Sequence, residues 1–193
     1  MSTEYIKLIV GLGNPGGRYE ATRHNVGYWF VDRVAMRYRG VFKKEGRFQG
    51  LLCRVAIGAM ECALLKPETF MNHSGRSVAA FCNYFRLDPR QMLVVHDDLD
   101  LEPGVVRFKT GGGHGGHNGL RDIIAATGSR EFHRLRVGIG HPGDRNRVVD
   151  YVLSPPSKGE VTAIESALDR AEEILPLLLG GEFQKGMNRL HAP

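Results

Sequence analysis

Residues 6–10 form an apolar run closed by Gly11, the pattern of a buried strand, and 11–17 read as a loop. From about Arg23, Val26, Phe30, Val34 and Tyr38 recur every four residues, predicting a helix that Gly40 stops. Leu51, Cys53, Val55 and Ile57 alternate with smaller or polar neighbours and predict a strand. Gly58 breaks it, residues 62–66 resume as a second strand, and Pro67 ends that one. Ser74 is placed to cap a helix carrying Val78, Phe81 and Phe85 on one face. Asp88-Pro89 turns the chain. Residues 92–96 are a buried-strand pattern that runs into an acidic cluster, and 105–109 predict a strand after the Pro103-Gly104 turn. A short helix with Leu120, Ile123 and Ile124 inward stops at Gly128, and 135–139 predict a further strand. An amphipathic helix from about Glu160 ends or kinks near Pro176, and a last short helix spans about 182–190. Strands alternate with helices, with neither repeat nor linker. The expectation is one α/β domain over residues 1–193 with a mostly parallel sheet.

Composition narrows this picture. With 193 residues, 42% hydrophobic and 24% charged, the chain is globular and needs no disulfide staples. Its three cysteines, Cys53, Cys62 and Cys82, lie in apolar runs without C-x-x-C spacing, which points away from a zinc site and toward a reducing compartment. Met1 to Lys7 show no signal-type stretch, and the apolar run 174–179 is too short to span a bilayer. The expected location is the cytoplasm, with no membrane contact. The net charge of +5 permits nucleic-acid binding without requiring it, but it is uneven. From Asp32 to Arg54 there are seven basic and two acidic residues, whereas Asp97 to Glu102 holds four acids.

Several segments carry candidate chemistry. Gly11-x-Gly13-x-x-Gly16 has dinucleotide-binding spacing, yet Pro15 removes an N–H, the helix starts too late, and Asp32 falls inside that helix. The loop is better read as projecting the Asn14 amide at a strand's carboxyl end, where ligands gather in open α/β sheets. His24 is either a general base or a capping residue with an exposed ring. The acidic cluster after residue 96 is a magnesium site, a partner that orients a histidine, or a solvated turn. In the segment 69–75, Asn72 binds amides or an oxyanion, or the segment merely caps a helix with Phe70 in the core. Residues 111–119 contain six glycines in nine positions and end in His117-Asn118 before a helix. They form an anion cradle, a mobile lid, or a loop in which Asn118 caps the helix. His114-x-x-His117 is only loosely metal-like. Lys109, Arg134, Arg136, Arg145 and Arg147 make a second basic patch, suited to phosphate or simply solvated. There is no Gly-x-Ser-x-Gly elbow and no Walker loop, so hydrolysis would use activated water.

Five blocks occur in order: Gly11-Leu-Gly-Asn-Pro-Gly16, Thr22-Arg-His-Asn-Val-Gly27, Thr69-Phe-Met-Asn72 with Ser74-Gly75, Asp97-Asp-Leu-Asp-Leu101 and Gly116-His-Asn-Gly-Leu120. Together they resemble the bacterial peptidyl-tRNA hydrolase family, from Lys7 to the Asn188-Arg189-Leu190 tail, with no departure at the positions that matter. The resemblance implies a single-domain, three-layer α/β/α fold with a twisted, mixed, mostly parallel sheet. It implies a monomeric, metal-free enzyme without cofactor or obligate protein partner. Its substrate would be peptidyl-tRNA, cleaved at the ester between peptide and 3′ ribose. His24 corresponds to the base and Asp97 to the residue that orients it. Asn14, Asn72 and Asn118 match amides contacting the peptide and 3′ end, with Asn14 tied to telling peptidyl from aminoacyl ends. Tyr19 and Phe70 match substrate-contacting aromatics, and Lys109 and Arg136 a clamp on the 5′ phosphate. A catalytically silent RNA-binding protein, as in plant organelle splicing factors that resemble this family, is the competing expectation. The intact His24, Asp97 and asparagines oppose it.

Overall fold

The computed structural model describes residues 5–193. The reading of Met1 to Lys7 falls in part on residues 1–4, outside the described residues. Among the described residues the strands are β1 (Leu8–Gly11), β2 (Lys43–Glu45), β3 (Gly50–Ile57), β4 (Met60–Pro67), β5 (Met92–Asp98), β6 (Val106–Thr110) and β7 (His133–Gly138). They form one sheet in the order β2-β3-β4-β1-β5-β7-β6. β1 pairs in parallel with β4 and β5, and β5 with β7, while β3 and β6 run against their neighbours. The carboxyl ends of β1, β4 and β5 therefore meet at one edge, the expected place for a site in such a sheet.

Helices cover both faces. On one face α1 (Val26–Arg37) and α5 (Lys158–Glu173) bury Phe30, Val34, Ile164 and Leu168 against Ile9, Leu64, Val95 and Leu135, and α6 (Leu175–Leu179) completes the layer. On the other, α2 (Ser74–Phe85) and α3 (Asn118–Thr127) bury Val78, Phe81, Leu120 and Ile123 against Leu8, Val10, Leu65 and Val94. Alternate residues of each central strand feed opposite cores, which explains their continuous apolar runs. Two glycines let α1 sit close. A Cβ on Gly27 would lie 2.5 Å from the Leu12 backbone nitrogen, and one on Gly11 would lie 2.6 Å from Val31 Cγ2. All three cysteines are free and buried, and among the described residues no helix is long and apolar enough to cross a membrane.

The differences from expectation have local causes. β2 is Lys-Lys-Glu, held at the edge by pairing with 50–52, and carries no apolar pattern. α4 (Val148–Val152) spans barely more than one turn. α1 begins at Val26 rather than about Arg23, because residues 23–25 form a 3₁₀ turn first. α5 begins before Glu160: Ser157 caps it, and Glu160 returns the bond to the Ser157 N–H. Ser74 does not cap α2. It is the first helical residue, and its hydroxyl donates to the Met71 carbonyl. Phe85, expected inward, is 41% exposed. α7 (Phe183–His191) packs beside the β6 edge, where His191 Nε2 accepts the Phe108 backbone N–H at 3.0 Å.

Candidate active site

β5 carries Asp97 to the carboxyl edge, where it is 3% exposed. Both carboxylate oxygens lie 2.9 Å from Nδ1 of His24, which the 3₁₀ turn before α1 brings over the end of β5. The same carboxylate accepts from a second imidazole, as His117 Nε2 lies 2.8 Å from Oδ1. His117 rather than Asn118 is the N-cap of α3. Its Nδ1 accepts the backbone N–H groups of Gly119 and Leu120, so its proton is on Nε2 and points at Asp97. His24 therefore donates through Nδ1 and keeps Nε2 without a protein partner among the described residues.

The electrostatics follow from burial and pairing. Burial opposes the charged form of Asp97, but the two imidazoles and their hydrogen bonds outweigh it and hold the carboxyl well below its usual range. For His24 burial alone would lower the pKa. The Asp97 charge and hydrogen bond more than offset this, leaving it above 6.5. His96, beneath His117 at 5.1 Å between ring centroids, is pushed down to about 4 by burial and by His117.

Asn14 approaches from the loop after β1. Its Oδ1 accepts the Met71 backbone N–H at 2.7 Å, so its side-chain NH₂ is left for the cleft. Asn25 locks that loop: its Oδ1 accepts from Asn14 N and its Nδ2 donates to Asn14 O, each at 2.9 Å. Asn72 follows Met71 and Asn118 follows His117, and both are exposed at the rim. Phe70 is 56% exposed, not in the core, with its ring edge-on to Tyr19 at 6.3 Å. On the neighbouring strands, Arg136 of β7 is opposite His96 and anchored by Asp98 through Nε at 2.8 Å, and exposed Lys109 of β6 lies opposite Arg134, farther back from the edge.

The peptidyl-tRNA hydrolase family model matches residues 8–193. The chain belongs to the peptidyl-tRNA hydrolase family. It is 54% identical over 186 residues to the peptidyl-tRNA hydrolase of Nitrosomonas europaea, covering 96% of this chain and 95% of that one. It is 50% identical over 188 residues to that of Halorhodospira halophila, covering 97% of each. The crystal structure of peptidyl-tRNA hydrolase from Acinetobacter baumannii superposes with a TM-score of 0.96 at 45% identity, covering 100% of this chain and 97% of that one. The activity is thus hydrolysis of the ester of peptidyl-tRNA.

For a peptidyl-tRNA hydrolase the acidic cluster divides into separate tasks. Asp97 takes the two imidazoles, Asp98 holds Arg136, and Asp100 sits in the following turn with its N–H on Asp98 Oδ1. His24, Asp97 and His117 are the one cluster of metal-type ligands among the described residues, with ligand atoms within 4.8 Å of one another. The nitrogens facing Asp97 are engaged in hydrogen bonds to it. Both carry the protons they donate, so a cation would have to displace those protons and undo that arrangement. Arg134, part of the anticipated basic patch, is buried and donates to the carbonyls of Gly112, Gly113 and Arg130. It ties down the glycine-rich segment and has little left for phosphate. Asn25, and His117 as a partner of Asp97, were not anticipated, because both depend on contacts across the fold.

Proposed function

We propose that His24 is the general base of this ester hydrolysis and that Asp97 orients it. The observation that carries the reading is the 2.9 Å contact from His24 Nδ1 to Asp97, which leaves Nε2 as the unengaged acceptor. Neutral His24 takes a proton from water through Nε2, and the hydroxide adds to the ester carbonyl. Asp97 then faces an imidazolium whose charge it stabilises, without taking the proton itself. The Asn14 NH₂, aimed by Met71 and Asn25, donates to the tetrahedral oxyanion. As the C–O bond breaks, the imidazolium returns its proton to the departing 3′ oxygen, so water and ester become acid and alcohol.

Around this centre Tyr19, Phe70, Asn72 and Asn118 contact the peptide and the terminal nucleotide. The amides read neutral groups and the aromatics offer stacking surface. Lys109 and Arg136 clamp the 5′ phosphate, with Asp98 holding the Arg136 guanidinium in place. The protein works as a monomer in the cytoplasm. Three free buried cysteines fit that compartment, and size-exclusion chromatography with light scattering tests the monomer.

His24→Ala tests the base. Turnover on peptidyl-tRNA should fall by orders of magnitude while tRNA binding survives. Turnover near wild type would overturn the assignment.

A further inference from the structure

The basic run from Asp32 to Arg54 is not absorbed by the catalytic site. Part of it is internal: Arg33 and Arg37 pair with Glu172 of α5, and Arg33 also with Asp169. Lys44 reaches Glu68 at 3.6 Å. Arg47 and Arg54 pair with no carboxylate among the described residues. Instead each guanidinium lies over an exposed aromatic ring, Arg47 over Tyr84 at 4.4 Å and Arg54 over Phe85 at 5.2 Å. Tyr84 is 56% exposed, and the Tyr84 and Phe85 ring centroids are 4.8 Å apart. Both rest on buried Phe48, at 5.6 and 5.8 Å. The platform is therefore held from beneath, and α2 contributes no acidic side chain to it.

Rigid exposed rings interleaved with arginines match a polyanion bearing planar bases. Bases stack on the rings or on the guanidinium planes, and phosphates meet the cations. An apolar protein partner would not call for two unpaired guanidiniums at the centre of the patch.

Its position separates it from the substrate's phosphate clamp. Arg54 and Arg136 lie on the same sheet face, the one covered by α2 and α3, but four strand spacings apart. The register carries Arg54 through Ala63 and Leu8 to Met92, whereas Arg136 lies opposite His96. Four spacings of about 4.8 Å and four residues of about 3.3 Å place them roughly 23 Å apart. α2 also runs away from the site, from Ser74 beside it to Phe85 in the patch. An acceptor stem held at the proposed Lys109 and Arg136 clamp would start on the far side of the sheet from this edge.

We propose that the Arg47, Arg54, Tyr84 and Phe85 surface is a second RNA-binding face, which takes a single-stranded segment of an RNA other than the bound substrate. The proposal does not depend on the catalytic assignments, and its separation from the substrate rests on the proposed Lys109 and Arg136 clamp. Its test is fluorescence anisotropy of a labelled oligouridylate of twelve nucleotides titrated with the full chain, with and without a saturating unlabelled acceptor-stem minihelix. Binding should persist with the minihelix present. Tyr84→Ser should weaken it about ten-fold, as loss of one stacked base does, and Tyr84→Phe should restore it. Arg47→Ser with Arg54→Ser should make the slope of log affinity against log salt shallower by about 1.4, for two single-strand phosphates. All three proteins should keep wild-type thermal midpoints and wild-type kcat/KM on peptidyl-tRNA. Several results would overturn the proposal: no binding by the wild type, full displacement by the minihelix, unchanged affinity in both serine variants, or a raised KM for peptidyl-tRNA in either. Capture of an acidic peptide in place of the oligonucleotide would do the same.

Discussion

Asp97→Asn keeps the shape of the carboxylate and removes its charge. Oδ1 of Asp97 lies 2.8 Å from His117 Nε2 and 2.9 Å from His24 Nδ1, while Oδ2 lies 2.9 Å from the same His24 nitrogen. His117 cannot give up its Nε2 proton position, because its Nδ1 is held by the Gly119 and Leu120 N–H groups. The new amide must therefore turn its oxygen toward His117 and its NH₂ toward the other oxygen's position, facing His24. There an amide N–H donates to Nδ1 and drives the imidazole proton to Nε2, the atom that has to accept from water. In serine-protease triads the equivalent change lowers kcat by roughly 10⁴ for this reason. Here the amide oxygen also remains within reach of His24 Nδ1, so a fraction of molecules keeps the productive tautomer. The expected loss in kcat is about 10² to 10⁴, or about 3 to 5 kcal/mol of barrier. KM should hardly move, since Asp97 is buried behind His24. The pH profile gives a second readout. With neutral His24 as the proposed base, kcat/KM should rise with pH through the His24 pKa, which is raised above its usual 6.5. Without the Asp97 charge only burial acts, and the acid limb should move to lower pH. Initial rates on an N-blocked aminoacyl-tRNA from pH 5 to 9 at constant ionic strength measure both. A kcat within ten-fold of wild type together with an unmoved acid limb would refute the reasoning.

The clamp predicts a different signature. Lys109→Ser with Arg136→Ser should raise KM with kcat largely kept, and flatten the salt slope by about 0.9 for each phosphate no longer neutralised; a fall in kcat at unchanged KM would contradict it. Asn25→Ala strands the Asn14 N–H and C=O, at about 1–3 kcal/mol for each buried group left unpaired. It should lower the thermal midpoint and cut kcat at least ten-fold, and wild-type turnover would show that Asn14 needs no such anchor. Gly27→Ala puts a methyl 2.5 Å from Leu12 N and 2.6 Å from Leu12 O. It should lift α1 off β1 and cost about 1–3 kcal/mol in denaturant unfolding, where an unchanged midpoint would argue against close helix–strand packing.

The elements legible in the chain were those whose side chains meet a core. β1 and β5 are apolar runs because both faces are covered, and α1 shows its period because only one face is. β2 was not legible: Lys-Lys-Glu is held by backbone pairing, which leaves no trace in hydrophobicity. The start of α5 was written in Ser157-x-x-Glu160, a reciprocal cap that hydrophobic period alone passes over. At the site, the residue types of His24, Asp97 and Asn14 could be read as chemistry, but not their partners. His117 joins Asp97 only because α3 starts beside β5, and Asn25 reaches Asn14 only because the 3₁₀ turn folds back on the loop after β1. Arg134 looked like a phosphate ligand by charge and proved a structural tie by burial.

Two imidazoles contact the Asp97 carboxylate and a third lies beneath His117, and the hydrogen bonds make the three unequal. His96 donates Nδ1–H to the Asp97 carbonyl, and its Nε2 is buried without a partner, so charging it would place a cation where nothing receives it. His117 uses both nitrogens, one as acceptor at the α3 N-terminus and one as donor to Asp97. Of the three, only His24 combines a direct contact to the Asp97 carboxylate with a second nitrogen that no protein group claims among the described residues. The pocket thus reserves its single buried negative charge for one imidazolium. Sharing Asp97 with His117 costs some of that attraction, because an N–H already satisfies part of the carboxylate. The return is positional. His117 ties the carboxylate to the first turn of α3, next to Asn118, so His24 and that end of the glycine-rich segment are held by the same carboxylate. A displacement of the α3 N-terminus would therefore be felt at His24 through Asp97.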